Sequence, residues 1–237
     1  MKKNKIFISY EENQFYFNKE SINNMKKNLL LTVILITTIS ANLMAKSGFG
    51  VDLTVPLGAG IGFYLEDGKQ SQTIKPDGGF EFGVHLKPNY YFDLSILSLG
   101  ISLDLGYQRD VFAYKSDLSK GNVTFDSLFV GIMPKIDILF MSIGVGAGVK
   151  FPLGGSSYSK ENSGSEITEQ YNLKQLQDKF YNCYIPYLKA SLDFLLLYNV
   201  TLGVYLSYDF PLLEYKESSP KIKTGALDIG GQIGIRF

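Results

Sequence analysis

Between Leu97 and Gln108 the chain alternates without a fault: Leu97, Leu99, Ile101, Leu103, Leu105 and Tyr107 oppose Ser98, Gly100, Ser102, Asp104, Gly106 and Gln108. Side chains on a strand point to opposite faces with a period of two, so this stretch has one wholly apolar face and one small, polar face. Seven further segments repeat the pattern less perfectly: Phe49–Leu65, Phe80–Phe92, Val123–Leu139, Ile143–Phe151, Tyr181–Leu196, Val200–Leu212 and Leu227–Phe237. After residue 45 a helical period is expected only in a short helix near Ile167–Lys179, with Ser165 as its N-cap. The class is therefore all-β.

The connections sort the segments into hairpins. Those around Asp93–Ile96, Phe140–Ser142 and Leu197–Asn199 are a few residues long, whereas Glu66–Gly79, Tyr114–Asn122, Leu153–Lys179 and Leu213–Ala226 are longer and polar. Short and long alternate, as an even-stranded up-and-down meander requires when its turns share one rim and its loops the other. The expectation is an eight-stranded antiparallel transmembrane β-barrel with short periplasmic turns and longer external loops. Six prolines (Pro56, Pro88, Pro134, Pro152, Pro186 and Pro211) fall within or beside these strands. Proline cannot donate to a ladder, so bulges or strand ends are expected there.

Charge and cysteine content exclude several classes. Lys+Arg and Asp+Glu are equal at 23 each, so no basic excess supports nucleic-acid binding. The single cysteine, Cys183, excludes an intramolecular disulfide framework and a cysteine-based zinc site. Residues 25–45 have the form of a signal peptide: Met25-Lys26-Lys27, an uncharged run from Leu29 to Ile39, and small residues at Ala41 and Ala45. That run is short for a transmembrane helix. Residues 1–24 precede it without a clear period and are expected to be a misassigned start, which leaves 46–237 as the barrel domain.

Alternation alone does not say which face is outside, since a secreted lipocalin-like carrier also has eight strands with its apolar face turned inward. Aromatic placement favours lipid outside. Phe49, Phe92, Phe140, Phe194, Tyr198 and Phe237 project to the short-turn rim. Phe63, Phe80, Phe112, Phe125, Phe151, Tyr184, Tyr208 and Phe210 project to the long-loop rim, with mostly aliphatic residues between the two sets. Two interfacial girdles explain that pattern. The other face is largely Gly and Ser, punctuated by Asp52, Glu81, Asp104, Lys135, Asp137, Lys150, Lys189, Asp193, Asp209, Asp228 and Arg236, which suits a lumen only wide enough for side chains.

From Phe49 to Phe237, and most specifically in Gly230-Gly-Gln-Ile-Gly-Ile-Arg-Phe237, the chain resembles the small eight-stranded outer-membrane barrels of the outer membrane protein A, outer membrane protein X and opacity-protein type. The resemblance implies the outer membrane of a Gram-negative-type bacterium. It also implies that the barrel-assembly machinery reads Ile233, Ile235 and Phe237 during insertion.

Candidate chemistry is sparse. The only histidine, His85, is expected to face inward beside Glu81 and Lys87, with Ser98 or Ser102 as cross-strand neighbours. Nothing marks an activated serine, and a filled lumen gives lipid no access. No catalytic, cofactor-binding or metal-binding residue and no cofactor is expected, since neither calcium-loop spacing nor a phosphate-binding loop occurs. The function expected is structural or surface-presenting, around a lumen filled by a charged network. Its partners are outer-membrane lipid and a surface ligand at the loop Leu153–Lys179. The alternatives are a narrow porin-like channel, in which inward charges set selectivity, and the lipocalin-like carrier.

Overall fold

The computed structural model describes residues 47–94, 96–196, 199–216 and 221–237. The expected signal peptide, the expected misassigned start and the rim residue Tyr198 lie outside the described residues. The strands in chain order are β1 (Gly48–Glu66), β2 (Lys69–Gln70), β3 (Lys75–Asp93), β4 (Leu97–Lys115), β5 (Ser119–Ile138), β6 (Met141–Glu161), β7 (Glu166–Asn172), β8 (Ile185–Leu195), β9 (Val200–Glu214) and β10 (Ile222–Arg236). Among the described residues one helix, α1 (Leu173–Lys179), follows β7. No described helix is long and apolar enough to cross a membrane.

Eight strands run β10-β9-β8-β6-β5-β4-β3-β1, each antiparallel to its neighbour, and β10 closes on β1 from Asp52↔Arg236 to Glu66↔Ile222. Closure removes the unpaired edges that a hydrocarbon medium would not tolerate. The two remaining strands belong to the loops. β2 returns on the end of β1 through Asp67-Gly68, both with positive φ, and β7 returns on the far half of β6.

The up-and-down order and the inside–outside phase follow the sequence expectation. Asp52, Thr54, Ser102, Asp104, Lys135 and Asp137 are buried in the lumen, while Leu53, Leu57, Leu103, Ile132 and Ile136 face outward. The apolar face thus points away from the barrel axis, opposite to a lipocalin. Aromatic pairs mark both rims of the outer surface. Phe49–Tyr90, Tyr90–Phe92 and Phe140–Phe194 lie at the turn side, and Phe63–Tyr208 and Tyr208–Phe210 at the loop side.

The barrel strands are longer than expected and their loops shorter, except for β8, which starts at Ile185 rather than Tyr181. β4 and β5 continue to Lys115 and from Ser119, leaving three residues between them, and β6 runs ten residues past Phe151. The reason is visible along β5. Its outward residues change from Ile136, Ile132, Val130 and Leu128 to Asp126, Thr124, Asn122 and Lys120. Its inward residues change from Asp137 and Lys135 to Phe125 and Val123 at the same level. The geometry is unchanged, but the solvent outside becomes water, so the preferred face of each side chain reverses. Polarity-based boundaries therefore stop at the membrane edge while the sheet continues.

Two further expectations are corrected, the first by the same reversal. Phe112 and Phe125, assigned to the outer girdle, are buried inside the barrel mouth. The helix starts at Leu173 rather than near Ile167, and Asn172, not Ser165, caps it. Glu166–Asn172 pairs with β6 instead, and Asn172 and Gln175 complete a reciprocal capping box at 3.0 and 2.9 Å. Bulges or strand ends were expected at the prolines, and Pro152, Pro186 and Pro211 meet that expectation, but Pro56, Pro88 and Pro134 lie inside strands whose register continues unshifted past them. The β1–β3 ladder skips Pro56, β3–β4 skips Pro88, and β5–β6 skips Pro134. Register shifts beside Pro152, Pro186 precedes the first β8–β9 pair, and Pro211 falls in the β9–β10 irregularity.

Candidate functional site

Strand register stacks the inward residues into layers. Nearest the short turns, Lys135 Nζ lies 3.1 Å from Asp52, and Arg236 bridges Asp52 at 3.0 Å and Asp137 at 2.7 Å. Gln232 donates to Asp193, which lies on β8 across from Ser142. Arg236 sits 5.2 Å from the ring centroid of buried Tyr91. β1, β5, β8 and β10 thus each supply a charged or polar member, so the network ties together strands that are not neighbours in the sheet.

The next layer holds His85, Lys87, Asp104 and Lys189, all buried. Asp104 meets His85 Nδ1 at 3.3 Å and Lys189 Nζ at 3.4 Å, and Lys189 Nζ is 3.1 Å from His85 Nδ1. The imidazole packs 4.4 Å from the Phe129 ring, and its Nε2 has no hydrogen-bond partner. Ser102 Oγ donates instead to the Leu103 carbonyl. The structure therefore brings His85 to an acid, as a triad would need, but among the described residues no serine hydroxyl completes it. Sequence alternation placed these groups in the lumen; their pairing depended on register.

Nearest the external mouth, Lys150 Nζ lies 2.7 Å from Asp110, 2.7 Å from Asp209 and 3.6 Å from Asp228, with Glu81 alongside. Asp110 is the one member that polarity missed, because the alternation in β4 loses its contrast after Gln108. The outward neighbours of three members, Phe80, Phe151 and Tyr208, are girdle aromatics, which puts this layer level with the outer membrane interface.

Above the charges the lumen is apolar. Tyr64, Phe112, Phe125, Ile185 and Leu213 pack with Leu176 and Phe180, which α1 lowers into the barrel end. Phe180 contacts Phe125 and Tyr215 at ring-centroid distances of 5.7 and 4.5 Å. Beside this plug opens a cavity of about 470 Å³ lined by Tyr64, Ile74, Tyr114, Tyr171, Tyr215 and Ile222. The expected display loop, Leu153–Lys179, forms the β6–β7 hairpin and α1, with Lys160–Glu166 and Lys179–Glu169 ion pairs at 2.6 Å on its exposed surface. On the outside of the wall, just beyond the girdle, Arg109 makes a two-pronged pair with Asp126 at 2.8 and 2.9 Å, and Tyr107 donates to the same carboxylate.

A closed, even-stranded antiparallel barrel with an apolar outer band, aromatic rims and a polar filling is an outer-membrane β-barrel, and the cell outer membrane is its place. No family model and no curated protein matches the chain. Solved structures that resemble it include Ail, the attachment invasion locus protein of Yersinia pestis, at 19% identity over 79% of this chain and 99% of that one, with a TM-score of 0.35. Neisserial surface protein A resembles it at 12% identity, 79% and 97% coverage and a TM-score of 0.37. The outer membrane protein OprG of Pseudomonas aeruginosa does so at 11% identity, 81% and 97% coverage and a TM-score of 0.32. These values are low, and the fold assignment rests on the strand register itself.

Proposed function

We propose that this chain is a non-enzymatic, non-conducting outer-membrane barrel that presents its external mouth to the surroundings, with Met25–Ala45 serving as its export signal. The observation that carries this reading is the succession of occluding layers along one axis: the Asp52–Lys135–Arg236 network, the His85–Asp104–Lys189 layer, the Lys150 cluster and the Phe125–Leu176–Phe180 plug. Eight strands enclose a lumen only wide enough for side chains, and here large ones fill it. Ion passage would require a buried pair to open and both charges to be left unpaired, at several kcal/mol per ion. What remains available is the β6–β7 hairpin, α1 and the aromatic-lined cavity beside them, which together form the surface a ligand or partner would meet.

Purified protein in planar bilayers tests this reading. Silence over a wide voltage range supports it, and discrete single-channel steps replace it with the narrow-channel reading. An epitope tag inserted after Ser163, at the hairpin tip, is expected to be labelled by antibody on intact cells. Labelling only after the outer membrane is permeabilised would invert the assigned orientation.

A further inference from the structure

The lumen charges do not balance evenly along the axis. In the two layers nearest the short turns, Asp52, Asp104, Asp137 and Asp193 face Lys87, Lys135, Lys189 and Arg236, four against four. In the layer nearest the mouth, Glu81, Asp110, Asp209 and Asp228 face Lys150 alone, four against one. Among the described lumen residues, the whole charge imbalance therefore falls in one buried cluster.

The acceptor atoms there are also underused. Lys150 takes one oxygen each from Asp110 and Asp209, at 2.7 Å. Glu81 Oε1 accepts from the Val111 amide at 2.8 Å. That leaves Glu81 Oε2, Asp110 Oδ2, Asp209 Oδ1 and both oxygens of Asp228 without a hydrogen bond, on side chains with no solvent exposure. The nearest cation to Asp228 is Lys150 at 3.6 Å, beyond hydrogen-bond range. One oxygen from each of Glu81, Asp110 and Asp228 lies within 4.8 Å of the others. Two oxygens sharing a calcium at about 2.3–2.6 Å can lie up to about 5 Å apart, so these separations are within the reach of one shared ion. Gly60 keeps the space open, because a Cβ there would run into Glu81 and Asp228.

We propose that Glu81, Asp110 and Asp228 bind one hard divalent cation of the calcium, magnesium or manganese type. An all-carboxylate donor set selects such ions over softer ones. The ion would lower the local excess from three negative charges to one while leaving Lys150 on Asp110 and Asp209. With the apolar plug above and paired charges below, it is enclosed as the barrel folds and exchanges slowly.

The test uses the full barrel refolded from urea into detergent with Mn²⁺ as the probe, then passed through chelating resin. A single retained Mn²⁺ per chain, with an anomalous-scattering peak between Glu81 and Asp228, supports the site. Asp228→Asn and Glu81→Gln are each expected to reduce retention by at least about tenfold, whereas Asp193→Asn, in the balanced region, retains it. Wild type that folds yet keeps no Mn²⁺, and that unfolds at the same temperature with Ca²⁺, Mg²⁺ or chelator, overturns the proposal and leaves protons as the neutralising charge. Undiminished retention in both variants overturns it as well. If the variants do not fold, the wild-type metal content and the anomalous map still decide.

Discussion

Replacing Asp52 by Leu would strand a cation in the lumen. Asp52 is 3% exposed and is the hydrogen-bond acceptor for Lys135 Nζ at 3.1 Å. Arg236 loses its 3.0 Å contact with Asp52 but keeps Asp137 at 2.7 Å. Unit charges 3.1 Å apart attract by about 5 kcal/mol at an effective dielectric constant of about 20. Much of that gain offsets the desolvation of both groups, so the intact pair contributes modestly. The single substitution removes the gain and keeps the Lys135 penalty, and the expected loss is about 3–5 kcal/mol. Adding Lys135→Met to Asp52→Leu removes the stranded charge and fills its volume with apolar atoms, so the double variant is expected to regain at least about half of that loss. Urea-dependent unfolding from phospholipid vesicles, read by the mobility of unboiled samples, measures all three proteins. A loss below about 1 kcal/mol for Asp52→Leu, or a double variant no more stable than the single one, would refute the reasoning.

Three further outcomes are expected. Leu176→Ala removes the side chain that α1 inserts into the plug, where it is 1% exposed, and is expected to cost about 2–5 kcal/mol of helix docking. Limited proteolysis should then cut near α1 while the barrel keeps its unboiled mobility, and unchanged cleavage would contradict the plug. Gly146→Val places a Cβ 2.9 Å from the Met133 Cα and 2.5 Å from the Ile132 carbonyl, inside the barrel wall. Overpacking against backbone is expected to cost about 1–3 kcal/mol in the urea assay, with wild-type stability as the opposing result. In the external loop, hydrogen bonds from Lys179 and then Tyr171 hold the Glu169 carboxyl below its ordinary value of 4.5. A depressed carboxylate contributes stability above its unfolded value and loses it as pH falls through the folded one. Amide protection factors near α1, which divide out the intrinsic pH dependence of exchange, should therefore fall only on acidification below about pH 4.5, and unchanged protection from pH 6 to 3 would remove the pair from the account.

The parts legible in the sequence were those that depend on neighbours two residues apart. Alternation in Leu97–Gln108 set the strand, its faces and, with the aromatic rims, the medium outside. The turn and loop lengths set the meander, whereas the bulges or strand ends expected at Pro56, Pro88 and Pro134 are replaced by one-sided gaps in ladders of unshifted register. Inward placement of His85, Lys150 and Asp228 followed from the same parity.

Parity says nothing about distance across the barrel. That Lys135 meets Asp52, 83 positions away, depends on how eight strands shear past one another, a property of the closed sheet alone. The same holds for Asp110 joining Glu81 and Asp228, although only Asp110 escaped the sequence reading. Phe112 and Phe125 show the other limit: an outward girdle and an inward plug require the same residue type on opposite faces. Only the height of the membrane edge along the wall tells them apart. The sequence by itself determined which side chains share a face, because a strand repeats every two residues. The tertiary structure decided which of them touch and where lipid gives way to water, because both depend on strands far apart in the chain being brought to one level.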